Sequence, residues 1–512
     1  FVLIALVFFV QVFRLQVLEG KAFAKRSEQN RLDISLIIAP RGIIYDRTGE
    51  RLAWNEEDPT SSDFADRAYT TRRGLGQLLG YVSYPKKDSS GFYFRTTYAG
   101  ISGIESAYNT LLAGENGERL VEIDAERKVI SAHVAHTQLA GQSITLSLDA
   151  EFSEVLYDAL SVTAEAYDFR SGAGVVMDVR TGEIIALANF PSFNPEVLAK
   201  GADVVAIQAL NADVRQPFLN RIMSGLYTPG SIVKPFMAYA ALVSGIISPE
   251  KKILSTGSIS VPNPYNPNSP SVFKDWRAHG LVDMRHAIAV SSNVYFYTIG
   301  GGYGGQEGLG ISRINKYMRL FGFGAPVDIP LSDSKSGVVP NPEWKKKVFN
   351  EDWRLGDTYF TAIGQYGFQV TPLQMLRAYG AIANGGILRT PHVIQGEAVA
   401  SEDLHLDQSA LAVIREGMRL STLEGTEKSL NRSDVHIAGK TGTAEVGVGN
   451  AFINSWAVGY FPYENPKYVF ITLLEHGPHS NLFGSAPTMY NVFSWLVKNR
   501  PEYVSTESAD SQ

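Results

Sequence analysis

The stretch that decides the fold is AGVVMD at residues 173–178 together with IIALAN at residues 184–189. Both runs are apolar, and the intervening VRTG at residues 179–182 is typical of the turn of a β-hairpin. A second apolar pair, residues 456–461 and 468–475, flanks a turn that contains two prolines. Because the two pairs lie near opposite ends of one long region, the sequence predicts an antiparallel sheet to which both ends contribute.

Helical patterns fill the sequence between the two hairpins, at residues 234–244, 282–297, 312–321 and 372–383. The predicted fold class is therefore α+β, with an antiparallel sheet flanked by helices in one large domain of residues 146–500. Residues 501–512 (PEYVSTESADSQ) are polar and are predicted to form a flexible tail.

The sequence before residue 146 has a different character. Residues 19–145 are polar and interrupted by turns, and short alternations such as Ile34, Leu36 and Ile38 predict an extended β-rich module with small helices. The turn Asp46-Arg-Thr-Gly49 is predicted to close a hairpin there. Residues 1–18 begin with FVLIALVFFVQVF, and we expect them to be part of a truncated, single-pass transmembrane helix. A buried amphipathic helix and a signal-peptide core are the alternatives.

Composition excludes several classes of function. The chain of 512 residues is 45% hydrophobic and 19% charged, which excludes disorder for its bulk. Its net charge of −6 argues against a general nucleic-acid binder. Cysteine is absent, so disulfide scaffolds, thiolate metal sites and cysteine nucleophiles are excluded. No metal-binding motif occurs, and we expect neither a metal nor a cofactor.

Ser231 and Lys234 are the first candidates for chemistry. They follow the turn residues YTPG and precede an apolar stretch, which predicts a helix that begins at or near Ser231 and carries both side chains on one face. A lysine can remove the proton of a serine hydroxyl only when the amine is neutral, and burial or a second cation favours that state. The S-x-x-K pattern also occurs at four other places, so a helix-cap serine beside a solvated lysine is the alternative.

Ser291 and Asn293 are the second pair of candidates, in the sequence SSN within the helical pattern of residues 282–297. Small polar residues between Ala289-Val290 and three aromatic residues are unusual for a buried helix. They either cap a break between two helices or face a cleft. S-x-N also occurs at residues 192–194 and 429–431, so the pattern alone is weak.

Lys440, Thr441, Gly442 and Thr443 form the strongest motif, KTGT, which occurs once. Lys440 supplies a cation and the two threonines supply hydroxyl donors, a combination that suits a carboxylate. Gly442 is predicted to let the backbone of a ligand approach the edge of a sheet. A phosphate-binding loop is excluded, because the glycine it requires at position 434 is an aspartate.

The three motifs, 60 and 149 residues apart, together match the active-site set of the penicillin-recognising serine enzymes. The chain resembles the class B penicillin-binding proteins, which are peptidoglycan D,D-transpeptidases, over nearly its whole length. One departure is NSWA at residues 454–457, where the family more often has a His-x-Trp-Phe-like run. Further segments that carry the resemblance are RGIIYDR at 41–47 with Gly49, GIE at 103–105, PSFNP at 191–195, YTPGS at 227–231 and TPLQ at 371–374.

The resemblance implies a penicillin-binding, β-lactamase-like transpeptidase domain on an N-terminal pedestal of the penicillin-binding protein dimerisation type. It implies that Ser231 attacks the penultimate D-Ala carbonyl of a stem peptide and that Lys234 is the general base. Ser291 would relay a proton to the leaving amine, and Asn293 would hold Lys234 and the substrate amide.

The resemblance assigns the substrate carboxylate to Lys440, Thr441 and Thr443, in the KTGT motif with Gly442. The backbone N–H groups of Ser231 and Thr443 would form the oxyanion hole. β-Lactams would acylate the same serine.

The resemblance also implies a place and partners. The catalytic domain would lie outside the cytoplasmic membrane and work with a SEDS-family glycan polymerase in cell-wall synthesis, in either elongation or division. A glycosyltransferase domain is not expected. A β-lactam-hydrolysing or β-lactam-sensing relative of the same fold is the alternative.

Overall fold

The structure is a computed structural model, which describes residues 1–23, 32–57, 64–89, 93–123, 129–263, 266, 268–331, 334–481 and 484–505. The strands in chain order are β1 Leu32–Ile37, β2 Ile44–Tyr45, β3 Arg51–Glu56, β4 Asp66–Tyr69, β5 Val82–Ser83, β6 Lys86–Lys87, β7 Tyr93–Arg95, β8 Ala99–Gly100, β9 Gly117–Ile123, β10 Val129–His136, β11 Ile144–Thr145, β12 Ser171–Asp178, β13 Ile184–Phe190, β14 Ile253–Ser255, β15 Ser258–Val261, β16 Ser271–Lys274, β17 Gly280–Val282, β18 Ile387–Arg389, β19 Ser401–Asp403, β20 Ala438–Val446, β21 Phe452–Phe461 and β22 Tyr468–Pro478.

The helices in chain order are α1 Val2–Phe13, α2 Gly76–Leu79, α3 Gly103–Ala107, α4 Asn109–Leu112, α5 Ala150–Ala166, α6 Pro195–Lys200, α7 Val204–Ala212, α8 Lys234–Val243, α9 Met284–Ala289, α10 Asn293–Gly301, α11 Gly310–Leu320, α12 Pro342–Phe349, α13 Leu355–Ala362, α14 Pro372–Asn384, α15 Gln408–Leu423 and α16 Ala486–Asn499. Short 3-10 helices cover Gly230–Val233, Lys428–Leu430, Val448–Asn450 and Pro501–Tyr503.

The central sheet has the order β13-β12-β22-β21-β20, and its strands are antiparallel. The two predicted hairpins are confirmed as β12–β13 and β21–β22, and they meet where β12 pairs with β22. The KTGT motif lies within β20 at the edge of this sheet. The sequence predicted that Gly442 lies near a sheet edge, ahead of the strand at Trp456, and the structure adds that the motif is itself part of the edge strand.

The sheet is buried on both faces. Because side chains alternate along a strand, Val175 and Met177 of β12 belong to one apolar cluster with Phe236 of α8, whereas Val176 belongs to a second cluster with Phe493 of α16. The first cluster continues into α8, which carries Lys234, and into α9 and α10, which flank Ser291, and it therefore positions the site. The second cluster includes α5 and closes the opposite face.

The predicted helix over residues 282–297 is two helices, α9 and α10. Ser292 caps α10, since its hydroxyl accepts a hydrogen bond from Tyr295 N at 3.3 Å. Ser291, in front of it, has a φ of +59°, which a continuous helix does not allow. The first reading of SSN is confirmed, because Ser292 caps the break between two helices. Ser291 contacts Lys234, and the second reading, that these residues face a cleft, stays a prediction.

Residues before 146 form small sheets, as expected, among them β11-β2-β3-β4 and β1-β9-β10. The predicted hairpin is confirmed: β2 pairs with β3, and Asp46 Oδ1 accepts hydrogen bonds from Thr48 N and Glu50 N, both at 2.8 Å, in the turn. Asp46 Oδ2 also accepts a bond from Ala150 N at 3.1 Å. One carboxylate therefore joins this module to the first turn of α5.

A buried ionic cluster holds the N-terminal module together. Glu105 Oε2 accepts a bond from Arg41 Nε at 2.5 Å, and Glu105 Oε1 accepts one from Arg67 Nε at 2.8 Å. All three side chains are fully buried. The segments RGIIYDR and GIE, which are far apart in the sequence, therefore meet through this cluster.

The two ends of the chain differ in how they pack. The apolar side chains of α1 are exposed, and a π-helical turn, Arg14–Leu18, follows this helix. Within the described residues, we find no helix with the length and apolarity that a membrane crossing requires. At the other end Tyr503 is buried and its hydroxyl donates to Asp149 at 3.1 Å, so the chain is packed there, while residues 506–512 of the predicted tail lie outside the described residues.

Candidate active site

Ser231 lies in the 3-10 helix Gly230–Val233, against the middle of β20. A Cβ atom on Gly230, which has a φ of +57°, would lie 2.6 Å from Thr443 O. A Cβ atom on Gly364, from the loop after α13, would lie 2.2 Å from Gly230 O. Only glycines allow these approaches, and they fix the turn that presents Ser231 beside Thr443.

The turn rests on a buried polar support. Trp456 of β21 is fully buried, and its Nε1 donates to Thr228 O at 3.1 Å. Glu475 of β22 accepts hydrogen bonds from Tyr227 Oη at 2.8 Å and from Arg221 Nε at 2.7 Å. The segment that leads to Ser231 is therefore fastened to two central strands.

Lys234, the first residue of α8, is fully buried and bonds to the second motif. Its Nζ donates to Ser291 O at 2.7 Å, to Ser291 Oγ at 3.1 Å and to Asn293 Oδ1 at 2.7 Å. A neutral amine can donate to the carbonyl and amide oxygen atoms and accept a bond from the Ser291 hydroxyl, whereas a protonated one can donate to all three. The structure thus brings the S-x-x-K and S-x-N motifs into direct contact.

The environment of Lys234 favours the neutral amine. Burial holds its pKa well below the ordinary lysine value of 10.5, and the nearby Lys440 lowers it further, while Asp275 acts in the opposite direction. Burial lowers the pKa of Lys440 to about 7, against an opposing effect of Glu427. Repulsion between two lysines that are shielded from water lowers their pKa values. Such an arrangement is a typical way to obtain a neutral amine that can accept a proton near pH 7.

The KTGT motif completes the site from the edge of the sheet. Lys440 is buried and its Nζ donates to Thr441 O at 2.8 Å, whereas Thr441 is partly exposed and Thr443 is exposed. A Cβ atom on Gly442 would lie 2.9 Å from both Pro229 O and Ile232 Cγ2. The packing of the Ser231 turn therefore requires a glycine at position 442. The sequence had suggested a different reason for this glycine, namely the close approach of a ligand backbone.

Two buried carboxylates near the lysines, those of Asp275 and Glu427, were not predicted from the sequence. Asp275 accepts hydrogen bonds from Ser292 Oγ and Val294 N, both at 2.9 Å. Glu427 is buried behind Gly439, and burial raises its pKa to about 8, an effect that Lys440 opposes. Neither residue belongs to a spaced motif.

The chain matches known proteins over most of its length. Residues 172–494 match the penicillin binding protein transpeptidase domain, and residues 60–146 match the penicillin-binding protein dimerisation domain. Peptidoglycan D,D-transpeptidase MrdA of Haemophilus influenzae is 27% identical, over 96% of this chain and 90% of its own length. The protein of the same name from Acinetobacter baumannii is 31% identical, over 83% of this chain and 65% of its own length.

Solved structures agree in fold. PBP2 of Pseudomonas aeruginosa in complex with WCK 5153 is 28% identical, with a TM-score of 0.76, and the match covers 93% of this chain and 100% of that one. A chain from a structure described as coordinating polymerization and crosslinking in a peptidoglycan synthase complex has a TM-score of 0.76 and 26% identity, and the match covers 100% of this chain and 98% of that one.

Proposed function

Because the chain belongs to the class B penicillin-binding proteins, which are peptidoglycan D,D-transpeptidases, we propose here how its own residues carry out the reaction. The enzyme cross-links stem peptides through a serine acyl-enzyme, and β-lactams inhibit it. Its place is in peptidoglycan synthesis and cell shape.

We propose Ser231 as the nucleophile and Lys234 as its general base. The Oγ atom of Ser231 attacks the carbonyl carbon of the penultimate D-Ala while neutral Lys234 takes the hydroxyl proton. The C–N bond to the last D-Ala then breaks, while the Ser291 hydroxyl gives its proton to the departing amine and takes the proton of Lys234 in its place. The observation that carries this assignment is the buried Lys234 Nζ, bonded to both Ser291 Oγ and Asn293 Oδ1.

We assign the terminal carboxylate of the donor peptide to the KTGT strand. Thr441 and Thr443 are the side chains of this motif that solvent reaches, and Lys440 supplies a positive charge behind them. The backbone N–H groups of Ser231 and Thr443 stabilise the tetrahedral oxyanion, a contribution that is commonly worth about 10²–10³ in rate. An amine of a second strand then attacks the ester and completes the cross-link.

The proposal extends to domains and location. We assign residues 19–145 to a pedestal, residues 146–500 to the transpeptidase domain and residues 1–18 to a membrane anchor, with the catalytic domain on the outer face of the cytoplasmic membrane. The exposed apolar side chains of α1 support the anchor. A SEDS-family glycan polymerase is the proposed partner, because a similar chain belongs to a complex described as coordinating polymerization and crosslinking.

Reaction with a donor substrate tests the function. The protein is incubated with peptidoglycan strands that end in D-Ala-D-Ala, and released D-Ala and cross-linked muropeptides are measured by mass spectrometry. We expect both products, and we expect benzylpenicillin to abolish them by forming an adduct that peptide mapping finds on Ser231. Ser248→Ala is the matched control, since this exposed serine belongs to another S-x-x-K sequence. Rapid turnover of nitrocefin without a stable adduct would contradict the proposal and favour a hydrolase.

A further inference from the structure

Asp275 links three separate parts of the active-site wall. It follows β16, and its side chain is fully buried. Its Oδ2 atom accepts hydrogen bonds from Ser292 Oγ and Val294 N at 2.9 Å, and from Ser255 Oγ of β14 at 3.3 Å. Its Oδ1 atom accepts one from Trp276 N at 2.9 Å. A carboxylate with this many donors is rigidly held and can hold its partners in turn.

The residues that Asp275 holds alternate with those that contact Lys234. Ser292 and Val294 face Asp275, while Ser291 and Asn293 place their oxygen atoms against Lys234 Nζ. Ser291 has a φ of +59°, a conformation that non-glycine residues adopt only when their surroundings hold them in it. Ser292 lies between Ser291 and Asn293, and Val294 follows Asn293, so the two bonds to Asp275 hold the backbone that carries the groups in contact with Lys234.

The negative charge of Asp275 also acts on Lys234 and raises the pKa of its amine. His279 Nε2 lies 3.5 Å from Asp275 Oδ1, and burial lowers the pKa of His279, so the imidazole is neutral at pH 7 and leaves the carboxylate charge in place. Arg277, which stacks on Trp276, is the cation that follows in the same loop. The charge of Lys440 in β20 lowers the pKa of Lys234 and thus acts against Asp275. Asp275 therefore favours a protonated Lys234, whereas burial and Lys440 favour a neutral one.

We propose that Asp275 is a positioning residue of the acylation step, which holds Ser291 and Asn293 against Lys234 and balances the charge of Lys440. The inference rests on the proposed roles of Ser231 and Lys234. It adds a fourth segment, the loop after β16, to the three motifs that the sequence identifies.

The test compares Asp275→Asn with the wild-type protein. The asparagine keeps one acceptor oxygen and the side-chain shape but removes the charge. Loss of a nearby negative charge lowers the pKa of Lys234, so we expect the acid limb of the acylation rate, measured with benzylpenicillin over pH 5–9, to move to lower pH. The maximal rate constant should fall by about tenfold, because a charged hydrogen-bond acceptor becomes a neutral one. Asp275→Ala, which loses all the bonds, should lose more than Asp275→Asn.

Asp283→Asn is the matched control, because Asp283 caps the neighbouring helix α9 through His286 N and is not in contact with Lys234. We expect its acid limb to stay at the wild-type pH. A purely structural Asp275 would lower the melting temperature of Asp275→Asn without moving the pH profile of the folded enzyme, and that result would overturn the inference. If Asp275→Ala does not fold, Asp275→Asn alone decides. If wild-type protein forms no adduct on Ser231, the proposed function fails instead.

Discussion

The proposed pedestal and the proposed active site each contain a pair of buried basic side chains, and the groups that surround the two pairs differ. Arg41 and Arg67 share the carboxylate of Glu105 at 2.5 and 2.8 Å, with all three side chains inaccessible to solvent. Lys234 and Lys440 are equally buried, yet their amines donate to hydroxyl, amide and backbone oxygen atoms. In the first arrangement one carboxylate offsets part of the charge of two arginines, whereas the two lysines donate to uncharged groups and can become neutral by losing protons.

The difference follows from the two side chains. A guanidinium group keeps its proton at any physiological pH, so it can be buried only with an anion beside it. A lysine can lose its proton, and burial beside another cation lowers its pKa until it does. Because burying a charge is unfavourable, the two arginines are held beside a carboxylate. For the same reason the lysines tend to lose protons, and a neutral lysine can act as a base. Substitution of Glu105 should therefore change the free energy of unfolding, whereas substitution of Ser231 or Lys440 should change the rate of acylation.

Ser231→Ala should have the largest effect, and it should be confined to the cleft. We expect complete loss of labelling by a fluorescent penicillin, because the substitution removes the oxygen atom proposed to form the ester. The unfolding curve should match that of the wild-type protein, since the substitution leaves the turn and its glycines in place. Labelling that persists in this variant would reject the assignment of the nucleophile.

Glu105→Gln should have the largest effect on the pedestal. Removing the only charge that offsets Arg41 and Arg67 in this cluster should lower the free energy of unfolding by about 3–5 kcal/mol, measured in urea. Glu307→Gln, which breaks an exposed pair with Arg313, is the control and should change stability by less than about 1 kcal/mol. The penicillin acylation rate of folded Glu105→Gln should equal that of the wild type. An equal loss of stability in both variants would show that burial of the Glu105 cluster adds nothing beyond an exposed ion pair, and would contradict this prediction.

Lys440→Ala should weaken acylation without abolishing it. The variant loses the cation proposed to attract the substrate carboxylate, which should lower the second-order rate constant by about 10- to 100-fold. Stopped-flow or gel-based measurement with a β-lactam gives this constant, and Lys428→Ala, at an exposed lysine of the neighbouring segment, is the control. An unchanged rate constant would reject the carboxylate-binding role.

Glu427→Gln should have the smallest effect, seen as a change in the pH dependence of stability. The pKa of Glu427 is raised from 4.5 to about 8 in the folded protein, so its stabilising contribution is complete below pH 4.5 and is lost as the pH rises through 8. Lys440, with a folded pKa of about 7, offsets this loss only above pH 7. Between pH 5 and 7 the wild-type free energy of unfolding should therefore fall more steeply than that of Glu427→Gln. Parallel slopes would show that Glu427 is not the titrating group.

The sequence predicted the parts of the molecule that depend on local pattern. Both hairpins of the central sheet and the helix that follows Ser231 are confirmed, because apolar runs and turn residues set them locally. The break at Ser291 could be named only as one of two readings, since it depends on the cap that Ser292 provides. Asp275 and Glu427 could not be found from the sequence, because their importance arises from contacts across the fold.

The acid limb of the pH–rate profile reports directly on the protonation of Lys234. The central claim is that burial and Lys440 keep the amine of Lys234 neutral at working pH, and the measurement is the acylation rate constant of the wild-type protein with benzylpenicillin from pH 5 to 10. We expect the rate to reach its maximum well below pH 10.5 and then to decline as Lys440 loses its proton. A rate that continues to climb up to pH 10, as an ordinary solvated lysine would dictate, would contradict it.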